Sequence, residues 1–190
     1  ILLGEHVPTS RYVERATRFK ESDARTALIF GAHQPNAIYI FIRDYAPLYD
    51  WLSRVAPNAA HVRNGEYFTA WRLGAPALPQ QSLNAEFAPL LRLVGVSRFA
   101  GEPRGVALYW QVSALPPDRA DMDATLALLD ARGVVVAQDK HRFGVPPLEW
   151  AVGDTFVEWY ALEMPERAAQ FRVEITRGAL VWQSPNLQLR

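Results

Sequence analysis

The sequence predicts an α+β protein, with a small α/β unit leading into an antiparallel β-sandwich. Three observations predict it. Val106, Leu108, Trp110 and Val112 alternate with Ala107, Tyr109, Gln111 and Ser113, the period-2 signature of a strand with one face in a core. Turn signals recur at short intervals from residue 87 to the end. Leu48, Trp51, Leu52 and Val55 fall at helical spacing between apolar runs, which places one helix among strands.

The totals narrow the class. The chain has 190 residues and is 49% hydrophobic, with Lys plus Arg and Asp plus Glu at 20 each. Its length suits one large domain or two small ones, and its apolar content argues against disorder. A net charge of zero argues against a general nucleic-acid binder. There is no cysteine, so neither disulfides nor thiolate chemistry apply. His6, His33, His61 and His141 lie far apart without metal-ligand spacing, and no run approaches the roughly 18 apolar residues of a membrane span. The chain starts at Ile1 rather than Met, which is expected of a piece cut from a longer protein or of a processed one.

Residues 1–24 read as a connector, with Thr9 or Ser10 capping a short helix over residues 11–20 whose apolar positions are Tyr12, Val13, Ala16 and Phe19. Residues 25–75 read as the small α/β unit. Thr26 to Phe30 is a strand ended by Gly31, and Ala37 to Ile42 is a continuous apolar strand. Pro47 suits the first turn of the helix, and Pro57 stops it. Ala59 to Val62 is a third strand, with Asn64-Gly65 as the turn of a hairpin into Tyr67 to Trp71. No Gly-rich phosphate loop accompanies this unit, and no cofactor is expected.

Residues 76–86, with Pro76, Pro79 and Ser82, read as a linker. Residues 87–190 read as the sandwich. A strand over Phe87 to Val96 turns through Gly101-Glu102-Pro103 into the Val106 strand. Ala124 to Leu129 and Val134 to Gln138 make a hairpin about Asp130-Ala131-Arg132-Gly133. Thr155 to Met164 places Phe156, Tyr160, Leu162 and Met164 on one side. Phe171, Val173 and Ile175 alternate inward, and Leu180 to Gln183 and Leu187 to Leu189 finish the chain. About seven short strands at this spacing predict an immunoglobulin-like sandwich.

Four patches carry a resemblance: Leu108-Tyr109-Trp110-Gln111 after the Gly-Glu-Pro turn; Leu128 to Gly133 followed by Val135 to Gln138; Trp150-Ala151-Val152-Gly153-Asp154; and Tyr160-Ala161-Leu162-Glu163-Met164-Pro165. Together they resemble the C-terminal extracytoplasmic region of bacterial dolichyl-phosphate-mannose-protein mannosyltransferase-like membrane glycosyltransferases. Val152 departs from a proline in that pattern, and Glu158 from an aspartate. The resemblance implies a non-catalytic accessory region outside the cytoplasm, structural or positioning an acceptor or sugar. Its partner would be the transmembrane catalytic portion of the same chain, whose loops hold the catalytic acids, so no catalytic residue carries over.

Candidate sites are sparse. Asp139, His141, Glu149 and Asp154 gather around one loop. They read as solvated loop charges first, and as a cation site of Asp139, Glu149 and Asp154 second. A small hydrolase using the same acids is the third functional reading. Trp110 and Tyr160 read as core, and Trp150 as packed at a sandwich end. Trp159 faces away from Phe156 and Tyr160. It is therefore either covered by the first unit or an exposed platform for a glycan, and the platform reading supports the alternative of a stand-alone carbohydrate-binding module. Tyr39, Phe41, Tyr45 and Tyr49 read as packing, and Ser22, Ser53 and Ser82 lack a nucleophile context.

Overall fold

The computed structural model describes residues 2–3, 21–23, 26–32, 37–42, 46–87, 89–101, 103–118 and 120–189. Among the described residues it is a β-rich α+β fold, 51% strand, with one α-helix and largely antiparallel sheets. The helix expected over residues 11–20 lies outside the described residues. The strands, in chain order, begin with β1 (Leu2–Leu3), β2 (Glu21–Ser22), β3 (Ala27–Phe30) and β4 (Ile38–Ile42), followed by helix α1 (Ala46–Val55), β5 (Ala60–Asn64) and β6 (Phe68–Arg72). Next come β7 (Gln81–Phe87), β8 (Leu91–Phe99), β9 (Gly105–Val112), β10 (Asp123–Leu129) and β11 (Val135–Arg142). The chain ends with β12 (Thr155–Tyr160), β13 (Gln170–Arg177), β14 (Leu180–Gln183) and β15 (Leu187–Gln188).

These strands make three sheets. The first has the order β2-β1-β4-β6-β5, the middle one β3-β12-β9-β8-β7, and the third β11-β10-β13-β14 with β15 also on β13. The middle and third sheets are the sandwich. Cross-strand register identifies its inner face, because directly paired residues share a side. Phe156 pairs with Trp110, Glu158 with Leu108 and Tyr160 with Val106. Across from them, Ala124 pairs with Ile175, Leu126 with Val173 and Leu128 with Phe171, all buried. Trp110 lies at the centre, edge-on to Phe87 at 5.3 Å and to Phe143 at 5.7 Å, and stacked on Phe156 at 6.3 Å.

The β10–β11 hairpin forms as its turn residues predict. Gly133 has φ 81°, a left-handed conformation that glycine adopts without strain. The Asp130 carboxylate accepts from the backbone N–H of Arg132 at 2.8 Å and of Val134 at 3.0 Å. Trp150 is buried at a sandwich end, its indole N–H donating to the Val145 carbonyl at 2.9 Å.

Three expectations change. The strand Ala27–Phe30, assigned above to the small α/β unit, is the edge of the middle sheet and pairs antiparallel with β12 from Phe30↔Thr155 to Ala27↔Glu158. All four of its residues are buried; a strand apolar on both faces needs cover on both, and β12 offers an open ladder edge there. The predicted linker holds a strand, because β7 runs Gln81–Phe87 and pairs with β8. Its alternation of half-buried and exposed residues is that of a one-sided edge strand, a pattern masked by the neighbouring prolines. The outward face of the Val106 strand is not at a surface either. Ala107 and Tyr109 are as buried as their neighbours, because α1 and the first sheet cover that side. Trp51 of α1 stacks on Trp159 at 5.4 Å with 16° between the rings and meets Phe99 edge-on at 5.5 Å. The Tyr39 hydroxyl of β4 donates to the Ile29 carbonyl of β3 at 2.6 Å.

Replacing a core tryptophan by alanine removes buried contacts and leaves a cavity, so Trp110→Ala is expected to cost about 3–5 kcal/mol. Trp159→Ala is expected to fall in the same range, because its ring is equally enclosed. Chemical denaturation of the two variants measures this; a near-neutral Trp159→Ala would contradict its position between layers.

Candidate functional site

The structure distributes the sequence candidates differently from their order in the chain. Asp154 is buried, and its carboxylate binds backbone: Oδ1 accepts from Ala32 N–H at 3.2 Å and Oδ2 from Ala151 N–H at 2.9 Å. It ties the turn before β12 to the end of β3. Glu149 sits in a 3-10 turn over Pro147–Glu149. Asp139 lies on β11, opposite Leu126. Among the described residues no group of three or more acids and histidines could hold a metal ion, so Asp139, Glu149 and Asp154 do not form the expected cation site. Their closeness in sequence is undone because each belongs to a different local element. Trp159 is only 3% exposed beneath Trp51, which removes it as a sugar platform. A ring facing out of one sheet faced into the next layer.

The structure brings together a different set of groups. His141 on β11 reaches across the sandwich to Glu158 on β12, with Nε2 3.2 Å from Oε1. Glu158 is fully buried, accepts from the Tyr160 hydroxyl at 3.1 Å and from the Gly144 N–H at 3.4 Å, and pairs in register with Ala27 of the edge strand. The Tyr160 ring stacks on the His141 imidazole at 4.3 Å, and Asp139 Oδ2 lies 3.9 Å from its Nδ1. Burial pulls the His141 pKa down, but the hydrogen bond and charge of Glu158, with the charges of Asp139 and Asp23, outweigh it and leave the pKa above 6.5. Burial, and then the Glu158 charge, push the Tyr160 phenol well above 10, so it acts as a donor to Glu158. The cluster is an internal ion pair with a hydrogen-bonded phenol, enclosed between sheets. It fastens the loop after β11 to β12, and in that loop the Gly144 carbonyl also accepts from Asp23 N–H at 2.6 Å. Glu158 was legible as an anomaly: it is a charge at an inward position of the strand that carries Phe156 and Tyr160.

The open site is on the first sheet. The β5–β6 hairpin turns through Gly65, Glu66 and Tyr67 rather than through Asn64-Gly65 alone; Asn64 pairs with Thr69, and Gly65 N–H donates to the Phe68 carbonyl at 2.8 Å. The Phe68 ring lies over Gly65, where a Cβ would collide with it. The longer loop lifts Tyr67 out of the strand, to 72% exposure. Beside it is an open groove of about 760 Å³, walled by Tyr49 of α1, His61 and Asn64 of β5, and Thr69 and Trp71 of β6, with Glu66 and Tyr67 at its rim. Its polar groups are held in place. His61 Nε2 and Asn64 Oδ1 are 2.8 Å apart, and the Tyr49 hydroxyl and Thr69 Oγ1 are 3.1 Å apart. The Trp71 ring is packed by His61 edge-on at 5.1 Å and by Tyr49 at 5.8 Å. Its buried Nε1 has no hydrogen-bond partner among the described residues. The two-residue turn read from Asn64-Gly65 concealed this groove by leaving Tyr67 in a strand.

The His141 pKa is raised on folding, so its contribution to stability is complete below about 6.5 and is lost as the pH rises through the folded value. Wild-type denaturation midpoints are therefore expected to fall through this window, and Glu158→Gln to flatten the fall. His141→Ala, which leaves the Glu158 carboxylate buried without its cation, is expected to cost about 3–5 kcal/mol near neutral pH. Urea titrations across pH measure both; an unchanged slope in Glu158→Gln would contradict the pairing.

Comparison with protein-family models, with curated proteins and with solved structures finds no match to this chain.

Proposed function

We propose that this chain is a non-catalytic accessory region on the extracytoplasmic side of a bacterial membrane glycosyltransferase-like protein, holding an acceptor or sugar near a catalytic portion in the membrane. The sequence resemblance suggests the context. Its four patches fall in β9, in the β10–β11 hairpin, in the turn before β12, and from the end of β12 onward. One observation carries the positioning role. The Trp51–Trp159 stack fixes α1 and the first sheet against the sandwich, so the groove is held in a set orientation. No helix among the described residues is long and apolar enough to cross a membrane, and the membrane portion is assigned to other parts of the same protein. A second reading, a stand-alone carbohydrate-binding module, is favoured by the groove itself, which combines an exposed ring with fixed polar groups.

The coding sequence that surrounds this region is expected to contain several hydrophobic spans. In the full-length protein, deleting this region is expected to reduce glycosyl transfer, and Trp51→Ala to reduce it in part by loosening the groove-bearing layer. Transfer assays in membranes check this. A reading frame without membrane spans, or transfer unaffected by the deletion, would overturn the accessory reading.

A further inference from the structure

We propose that the groove on the β5–β6 hairpin binds an uncharged pyranose unit of a glycan. A pyranose presents an apolar C–H face and a rim of hydroxyl groups, each both donor and acceptor. It therefore needs an aromatic face beside polar side chains of both kinds. Tyr67 supplies an accessible ring. Asn64 supplies an amide with donors left over after its oxygen meets His61, and Glu66 supplies acceptors. The Tyr49 and Thr69 hydroxyls, 3.1 Å apart, each keep further bonding capacity. The Trp71 ring, held by His61 and Tyr49, adds aromatic surface to the wall.

The alternatives fit less well. Among the described residues the groove is lined by no Lys or Arg, and Glu66 is at its rim, so the described wall offers an anionic ligand a carboxylate and no cation. A wholly apolar chain would strip water from Asn64, Glu66 and Thr69 without replacing their hydrogen bonds, which is unfavourable. A volume of about 760 Å³ falls within the range of small-ligand sites and has room for one or two sugar rings. Most of the polar contacts are already made between groove residues, which lowers the ordering cost on binding.

The inference deepens the sugar-positioning reading above and is independent of membrane attachment. Nitrogen–proton correlation spectra of the chain are titrated with neutral mannose, glucose and N-acetylglucosamine oligosaccharides. Mannose 6-phosphate and a proline-rich peptide serve as competing chemistries. A neutral oligosaccharide is expected to shift residues 61–71 and the Trp71 indole signal, with a Kd on the order of 1 mM, while the His141 signals stay in place. Tyr67→Ala, at an exposed loop position, is expected to keep the thermal midpoint and weaken binding about tenfold or more. The proposal is overturned if no neutral oligosaccharide shifts residues 61–71, if Tyr67→Ala binds as tightly as wild type, or if the phosphate or the peptide binds more tightly. Sugar binding by a chain whose parent protein lacks membrane spans would retain this site and remove the accessory role. Loss of transfer on deletion, without sugar binding, would do the reverse.

Discussion

Strand β9 buries Val106, Ala107, Leu108, Tyr109 and Trp110 in succession, without regard to which face each side chain occupies. A strand can do this only in a sheet covered on both sides, and the rest of the architecture follows from that constraint. The third sheet covers the face of Trp110 and Phe156, and α1 with the first sheet covers the face of Tyr109 and Trp159. The contacts on the second side are aromatic and large. The Trp51–Trp159 stack, the edge-on Phe99 and the Arg54 guanidinium 5.7 Å from the Phe99 ring together close over what would otherwise be an exposed apolar sheet. The layers are mutually dependent for that reason, since separating them would expose Trp51 and Trp159 at once.

One buried feature does not follow from apolar packing. Glu158 occupies an inward position of β12, where an apolar residue would fill the space without desolvating a charge. The ion pair with His141 and the donors from Tyr160 and Gly144 compensate it, and buried pairs of this kind are weak contributors to net stability. What the cluster does contribute is register. Its members come from β11, β12 and the loop after β11, so it ties that loop to β12, and Gly144 in turn packs against Asp23, Thr26 and Ala27. A Cβ on Gly144 would collide with Thr26 and Ala27, so this approach depends on glycine as well. Charge satisfaction thus fixes how the loop after β11 lies against β12, and that loop carries Gly144 to the start of the edge strand.

The groove lies where the layering ends. Helix α1 covers part of one face of the first sheet and leaves the hairpin end of β5 and β6 open, with β5 itself exposed along its length. The same helix contributes Trp51 to the interior and Tyr49 to the groove wall, so a single element links the interlayer stack to the open site.

Much of this was determined by the sequence alone. The alternation in residues 106–112, the Asp130 to Gly133 turn, the helical spacing after Pro47 and the inward positions Phe171, Val173 and Ile175 are local patterns. Their physical basis is backbone geometry, which acts within a few residues. Tertiary structure alone decided which sheet received Ala27–Phe30, what covered Trp159, what neutralised Glu158, and that Asp139, Glu149 and Asp154 were kept to separate tasks. Periodicity identifies which side chains share a face, but not what lies against that face. Strand partners more than a hundred residues apart, such as Ile29 and Phe156, are selected by burial of both surfaces together, and no local pattern encodes that choice.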